Sequence, residues 1–236
     1  WMLESAARQF ADELVKGLKG QRLPSEVDTI WYTPRRLIVG LKELPICQDD
    51  LVESVMGPPV SVAYDQGGNP TRAAQAFAQK NRVTLAKVRK VLTPKGEYLC
   101  IDRRIKGERT SKILVRLIPD AIARIQFPKT MHWTADHFRF ARPIRWILAM
   151  FHGKVVRFRI ADVSSSNFTV GHRFLGKSRL VVKSCEALQQ LLRENGVLAD
   201  PLERKVRIAE GLKREASACG GILVDDPSLL ETVTNL

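Results

Sequence analysis

The chain has 236 residues, a formal net charge of +13 and a sequence pI of about 9.9. With 44% hydrophobic and 27% charged residues it reads as a globular chain of one large domain or two modest ones. Its apolar runs, such as LIVGL and ILVRLIP, are too short to cross a bilayer, and no charged leader with an apolar core opens it.

Residues 2–19 place Leu3, Ala7, Phe10, Leu14 and Leu18 on one helical face. QRLPSE breaks that helix, and VDTIWY and RLIVGLKEL read as two strands flanking TPRR, with Thr33-Pro34 at the turn. A helix followed by paired strands implies a further strand before the helix, which the chain lacks. MGPPV reads as a rigid connector, and DQGGNPTRAAQAFAQKN as a turn entering a helix whose start falls at Pro70 or Thr71. VRKVLT and EYLCIDRRI, joined by Pro94-Lys95-Gly96, form a hairpin. ERTSKILVRLIPDAIARIQF is helical with Ile113, Leu117, Ala121 and Ile125 in line, and Pro119 either kinks it or opens a second helix.

KVVRFRIADV alternates Val156, Phe158 and Ile160 with Arg157 and Arg159, the pattern of a half-buried strand with a cationic outer face. SSSN is a loop and RLVVKS a further strand. The last third is helical, with breaks at Asn195-Gly196 and Gly220-Gly221. The class is α+β: strands in the N-terminal and middle parts with flanking helices, then a helical C-terminal part. Three regions are expected. Residues 1–60 form an incomplete N-terminal α+β unit, 61–182 a central α+β domain with a basic face, and 183–236 a helical segment. Trp1 in place of an initiator Met, and a last stretch SLLETVTNL that stops inside a helical pattern, imply a piece of a longer chain.

Four cysteines (Cys47, Cys100, Cys185, Cys219) are too dispersed for a disulfide framework or a metal knuckle and suit a reducing compartment such as the cytoplasm. The positive charge is uneven. Residues 129–179 carry ten Lys/Arg (Lys129, Arg139, Arg142, Arg145, Lys154, Arg157, Arg159, Arg173, Lys177, Arg179) against Asp136 and Asp162, a net of +8 over 51 residues. Such an excess attracts polyanions, nucleic acid or an acidic partner.

GHRFLGKS, Gly171 to Ser178, has phosphate-loop spacing. That chemistry needs a strand before it and a helix after it, whose free N–H groups cradle phosphates. A strand-like RLVVKS follows instead, and the interior holds bulky Arg173, Phe174 and Leu175, so a turn between strands is the preferred reading. No metal-ligand spacing links His132, His137, His152 and His172, and no nucleophile elbow occurs. Neither a catalytic, nor a metal, nor a cofactor site is assigned.

The stretch FPKTMHWTADHFRFARPIRWILAM, residues 127–150, concentrates aromatics and arginines. Either Trp133, Phe138, Phe140, Trp146, Ile147 and Phe151 are core, with arginines on the wet face, or the aromatics stack on unpaired bases. Their apolar company favours the first. In both, Arg139, Arg142 and Arg145 are free to meet phosphate, which the planar guanidinium fork suits.

TPRRL (33–37), GPP (57–59), GNPTRAAQAFA (68–78), KGEYL (95–99), FPKTMHW (127–133), RFARPIRWILA (139–149), GHRFLG (171–176) and LLETVTNL (229–236) resemble, in this order, motifs of the β subunit of bacterial-type glycyl-tRNA synthetase. The resemblance covers nearly the whole chain and corresponds to roughly the family's amino-terminal third. It implies a role in ATP-dependent glycylation of tRNA(Gly), within an assembly of two α and two β chains and without a membrane. It places glycine activation, with ATP and Mg, on the α subunit and leaves the β subunit tRNA recognition and contacts with α, so this chain alone is expected to be inactive. The runner-up is a module that docks on α without touching tRNA; a nucleotide hydrolase at Gly171–Ser178 comes last. Candidate tRNA-binding residues are Arg35, Arg36, Lys129, Arg139, Arg142, Arg145, His172 and Arg173. Arg36 has the alternative of pinning the turn through a carboxylate, and Arg142 of anchoring the chain before Pro143. His132 stands where the family motif carries Arg, which removes a cation at neutral pH, and the family's opening strand with its acidic segment is absent.

Overall fold

The computed structural model describes residues 2–135 and 137–235. The class is α+β, and the chain divides into two compact units: residues 48–108, and the segments up to Cys47 and from Arg109 onward. The division follows from pairing rather than from composition. Cys47 forms a β-bridge with Arg109, and Thr110 donates its backbone N–H to the carbonyl of Ile46 at 2.9 Å. The chain therefore leaves the larger unit and re-enters it at adjacent points. The expected boundaries near 60 and 182 both fall inside units.

The larger unit opens with α1, Met2–Gly20, which buries Ala6, Ala7, Ala11, Leu14 and Leu18. β1, Glu26–Thr33, and β2, Arg36–Lys42, form the expected antiparallel ribbon, closed by Pro34-Arg35 with Thr33 opposite Arg36.

The inserted unit contains β3, Leu51–Pro59; α2, Val60–Ala63; α3, Arg72–Lys80; β4, Arg89–Thr93; and β5, Gly96–Ile105. Its antiparallel sheet has the order β3-β5-β4, with Leu99 packed beside Ala63, Ala74 and Phe77. MGPPV is thus no connector. Gly57–Pro59 end an edge strand, where a residue without an N–H is tolerated, and Val60 begins α2. Thr71 is the N-cap of α3, as expected.

In the larger unit, α4, Thr110–Ala123, continues through Pro119 as one helix and not two. It lies antiparallel to α1: Gln126 N–H bonds Gln9 Oε1 at 2.9 Å, Arg124 pairs with Glu13 at 3.2 Å, and Ile113 meets Leu18 in the core. The middle of the chain then breaks into short strands. These are β6, Met131–His132; β7, Arg139–Phe140; β8, Ile147–Leu148; β9, Met150–Phe151; β10, Lys154–Val155; β11, Arg159–Ile160; β12, Val163–Ser166; β13, Phe168–Thr169; and β14, Leu180–Val181. β12 lies between β11 and a parallel β8, while β9–β10, β6–β7 and β13–β14 are antiparallel pairs.

Residues 147–151 explain why the middle holds together. Ile147, Ala149 and Phe151 enter a core with Leu18, Ile113, Val156 and Ile160, whereas Leu148 and Met150 enter a second core with Trp31, Ile38, Val182, Leu188 and Leu192. Successive side chains of an extended segment point to opposite sides, so an unbroken apolar run is buried on both faces. The second core also joins Val182 to α5, Glu186–Glu194, which is why no domain edge falls at 182.

The alternation at 156–160 is present in the burial: Val156 and Ile160 are buried, Phe158 is half-buried, and Arg157 and Arg159 are exposed. The strand itself is interrupted between β10 and β11. α6, Pro201–Ala218, and α7, Pro227–Thr234, each begin with Asp-Pro; Asp200 and Asp226 cap them by accepting N–H bonds of 2.9 Å from Leu202 and 2.8 Å from Leu229. Gly196 and Gly220, with φ of 73° and 69°, stop α5 and α6 where the chain turns left-handed, at the predicted breaks. No helix among the described residues is long and apolar enough to cross a membrane.

Candidate nucleic-acid interface

The aromatics of residues 127–140 are packed on one another. Phe127 and Phe140 meet edge to face at 4.7 Å between centroids, Trp133 and Phe138 at 5.8 Å, and Phe138 lies nearly parallel to Phe140 at 6.3 Å. All four are half-buried, and Phe138 seats the β6–β7 hairpin on the first core. These edges and faces are already engaged, which supports the anchoring reading over base stacking. On the outer side, Arg139 Nε donates to His132 Nε2 at 3.2 Å while His132 Nδ1 sits 2.9 Å from the carbonyl of His137. The guanidinium N–H of Arg139 can only donate, so His132 Nε2 is the acceptor in this contact. Lys129 is exposed and without a bond among the described residues.

A second group lies at the β1–β2 turn. Thr33 Oγ1 accepts from the backbone N–H of Arg35 and from Arg36 Nη1, both at 3.3 Å. Arg36 then reaches across the fold. Its Nη2 donates to the carbonyl of Val170 at 2.7 Å and lies 3.4 Å from that of Gly171. The guanidinium carbons of Arg35 and Arg36 stand 5.8 and 5.7 Å from the centre of the Trp146 ring. Burial, assisted by the neighbouring Arg35 charge, lowers the Arg36 pKa to about 10, and its Nε is buried without a partner among the described residues. Arg36 does pin the turn, but through backbone carbonyls and the indole rather than through a carboxylate. Arg35, by contrast, is exposed.

Val170 and Gly171 lead into the loop between β13 and β14. His172 takes its backbone N–H to the carbonyl of Asn195 at 2.8 Å, and its Nδ1 accepts from the N–H groups of Phe174 and Leu175, both at 3.2 Å. His172 thus shapes the loop rather than offering its Nδ1 outward. Gly171 N–H bonds the carbonyl of Lys177 at 2.9 Å, and Lys177 N–H lies 3.3 Å from Asn195 Oδ1. β14 follows, so no helix N-terminus stands behind Gly176 to hold phosphates and the phosphate-loop reading fails on geometry. Arg173 is exposed, its guanidinium 5.5 Å from the Phe174 ring centre.

The structure therefore gathers Arg35, Arg36, Trp146 and the start of the 171–178 loop into one region, with Arg145 beside Trp146 in sequence. Lys129 and Arg139 belong to the hairpin. Across residues 129–179 the pattern is uniform: all ten Lys/Arg are exposed. Among the described residues none of the ten is ion-paired with a carboxylate, although carboxylates elsewhere are paired, as in Arg193–Glu203 at 2.7 Å and Arg89–Asp102 at 2.7 Å. Arg159 donates to its neighbour Ala161, and Arg179 stands 4.7 Å over Phe168. Lys129, Arg142, Arg145, Lys154, Arg157 and Lys177 make no such contact among the described residues. Lys154, Arg157, Lys177 and Arg179 extend the charged surface beyond the residues singled out from sequence; the signal was the local absence of acids. No group of three or more His, Cys, Asp or Glu side chains among the described residues is arranged to hold a metal.

The family model for the glycyl-tRNA synthetase β subunit matches residues 1–236. The chain belongs to the glycyl-tRNA synthetase β-subunit family. It is similar to the glycine–tRNA ligase β subunits of Syntrophus aciditrophicus (36% identity, 99% of this chain and 34% of the relative), Nitratidesulfovibrio vulgaris (36%, 99% and 34%) and Trichlorobacter lovleyi (38%, 98% and 34%). The chain spans about a third of the length of these relatives. The Arg36 contacts with the carbonyls of Val170 and Gly171 bring residues 33–37 and the start of the 171–176 segment, far apart in sequence, into one structural feature.

Proposed function

We propose that this chain is the non-catalytic tRNA-binding and assembly portion of a glycine–tRNA ligase β subunit, supporting ATP-dependent glycylation of tRNA(Gly) by an α subunit. The observation that carries this reading is the set of ten exposed basic side chains in residues 129–179, unpaired with carboxylates among the described residues, in a chain of this family. A guanidinium already locked to a carboxylate has little left for phosphate, whereas a solvated one releases phosphate-bound counterions on contact. The assembly is two α and two β chains in the cytoplasm, with ATP and Mg held by α.

The test measures binding of tRNA(Gly) and of purified α subunit to this chain side by side, between about 50 and 200 mM salt. Affinity for tRNA that falls steeply with salt supports the reading. Binding to α with no affinity for tRNA replaces it with the docking-module reading. Glycine-dependent ATP turnover by this chain alone refutes the non-catalytic part.

A further inference from the structure

Among the described Phe, Tyr and Trp side chains, one is exposed. Every other described Phe, Tyr and Trp is buried or half-buried, while Phe174 is 81% exposed, as is its neighbour Leu175. A large apolar side chain left in water costs solvation that burial elsewhere in the chain would relieve. The loop that carries it is firmly tied. His172 Nδ1 accepts both the Phe174 and the Leu175 N–H, Gly176 N–H returns to the carbonyl of His172 at 3.0 Å, and Asn195 holds His172 and Lys177 from the far side. A Cβ at Gly176 would collide with the Asn195 carbonyl and the His172 nitrogen, so the turn is closed tightly on its support. The tip is held out by the loop's own hydrogen bonds.

Along the chain, the charge on either side of the tip is of one sign. From Val163 to Cys185 there is no Asp or Glu, whereas Arg173, Lys177, Arg179 and Lys183 are all present and exposed. Arg173 stands over the Phe174 ring. An aromatic face with a guanidinium beside it, on a rigid support with cations flanking it, is the combination that takes a nucleobase against the ring and its phosphates against the charges.

We infer that the 172–175 tip is a stacking finger for an unpaired base of RNA, with Phe174 as the platform, Leu175 as its apolar flank and Arg173 and Lys177 on the adjoining phosphates. This rests on the proposed RNA-binding function and adds to it a contact made by an aromatic ring rather than by charge. A preorganised tip loses little conformational entropy on binding.

The experiment compares the full chain with its Phe174→Ala, Phe174→Trp and Arg173→Ala variants, using tRNA(Gly) and a blunt RNA duplex as probes across a salt series. Stacking is lost with the ring, so Phe174→Ala should weaken tRNA binding by roughly 5- to 100-fold. The salt slope should not change, because no charge is removed, and duplex binding should be nearly unaffected. Phe174→Trp should retain tRNA affinity, and Arg173→Ala should reduce the slope by about one unit. Melting temperatures of the two Phe174 variants should equal that of the parent, since the ring is not part of a core. Wild-type tRNA affinity in Phe174→Ala overturns the inference and leaves the RNA-binding reading standing. Loss of α-subunit binding with tRNA affinity intact also overturns it and assigns the tip to a protein pocket. Failure of the parent chain to bind tRNA overturns both.

Discussion

Arg36 Nη2 donates a 2.7 Å hydrogen bond to the carbonyl of Val170, 134 residues away in sequence, and so ties the β1–β2 turn to the base of the 171–178 loop. The guanidinium is largely buried and charged, with its pKa lowered to about 10 by desolvation and by Arg35. Below that pH it stays cationic, and its stabilisation comes through carbonyl dipoles and the Trp146 ring. Arg36→Ala leaves the Val170 carbonyl without this donor and should destabilise the chain by about 1–3 kcal/mol. A fall in melting temperature of roughly 2–4 °C per kcal/mol would report it. Arg36→Lys lacks the planar fork that serves Thr33 and Val170 together beside the indole, and should restore only part of the loss. Full stability in Arg36→Ala would return Arg36 to the pool of side chains free for RNA.

The role of Arg36 also shows where sequence reasoning stops. The turn at 33–36 was legible because Pro and Thr act on neighbouring residues. The same holds for the N-cap at Thr71, the hairpin turn at 94–96 and the helix stops at Gly196 and Gly220. Contacts at long range carry no such signal. The insertion of residues 48–108 is set by the meeting of Cys47 with Arg109 and by β3 pairing with β5, so the prolines at 58 and 59 suggested a linker where the chain is a strand. Strands of two residues, such as β8 and β9, are too short for a period-2 pattern to emerge. At the candidate interface, the run of cations was readable, but the commitment of Arg36 and His172 to the backbone was not.

The support of the 171–178 loop makes a steric prediction. A methyl at Gly176 would strike the Asn195 carbonyl and the backbone nitrogen of His172, neither of which is the flexible end of a side chain. Gly176→Ala must shift one backbone segment against the other and should cost about 1–3 kcal/mol. Increased protease cleavage between residues 172 and 178, with the rest of the chain resistant, is the expected pattern. A variant with unchanged cleavage and melting temperature would mean that the loop and Asn195 are not in contact.

Acid stability follows from the ion pairs elsewhere in the chain. Side-chain bonds from Arg193 hold Glu203 below its ordinary 4.5, and those from Lys205 and Asn235 do the same for Glu231. Arg89 and Ser54 hold Asp102, and Gly107 N–H with Arg104 hold Asp50, below the ordinary 3.8. Each folded-state pKa is depressed, so each contributes stability that is fully present above the ordinary value and lost as pH falls through the lowered one. The melting temperature should stay level with respect to these groups down to about pH 4.5 and then decline. Glu203→Gln removes one of the depressed groups and should make the decline shallower; an identical acid limb would show that the Arg193 clamp adds nothing to folding.

Arg142 and Arg145 allow charge used for folding to be told apart from charge left in solvent. Both are exposed and free of bonds among the described residues, and they flank Pro143-Ile144 just before the doubly buried run at 147–151. Their backbone positions are therefore fixed by that run while their guanidinium groups remain in water. Removing either should leave stability within about 0.5 kcal/mol, because no packed or bonded group is lost. If each meets one phosphate, the slope of log affinity for tRNA against log salt should shrink by about 0.7–0.9 per substitution, and the double variant should lose about twice that. Arg36→Ala should show the reverse pattern, a lower melting temperature with a slope close to the parent's. Unchanged tRNA slopes in the Arg142→Ala, Arg145→Ala double variant would move the phosphate contacts to Lys154, Arg157 or the 171–179 segment, whose cations are equally exposed.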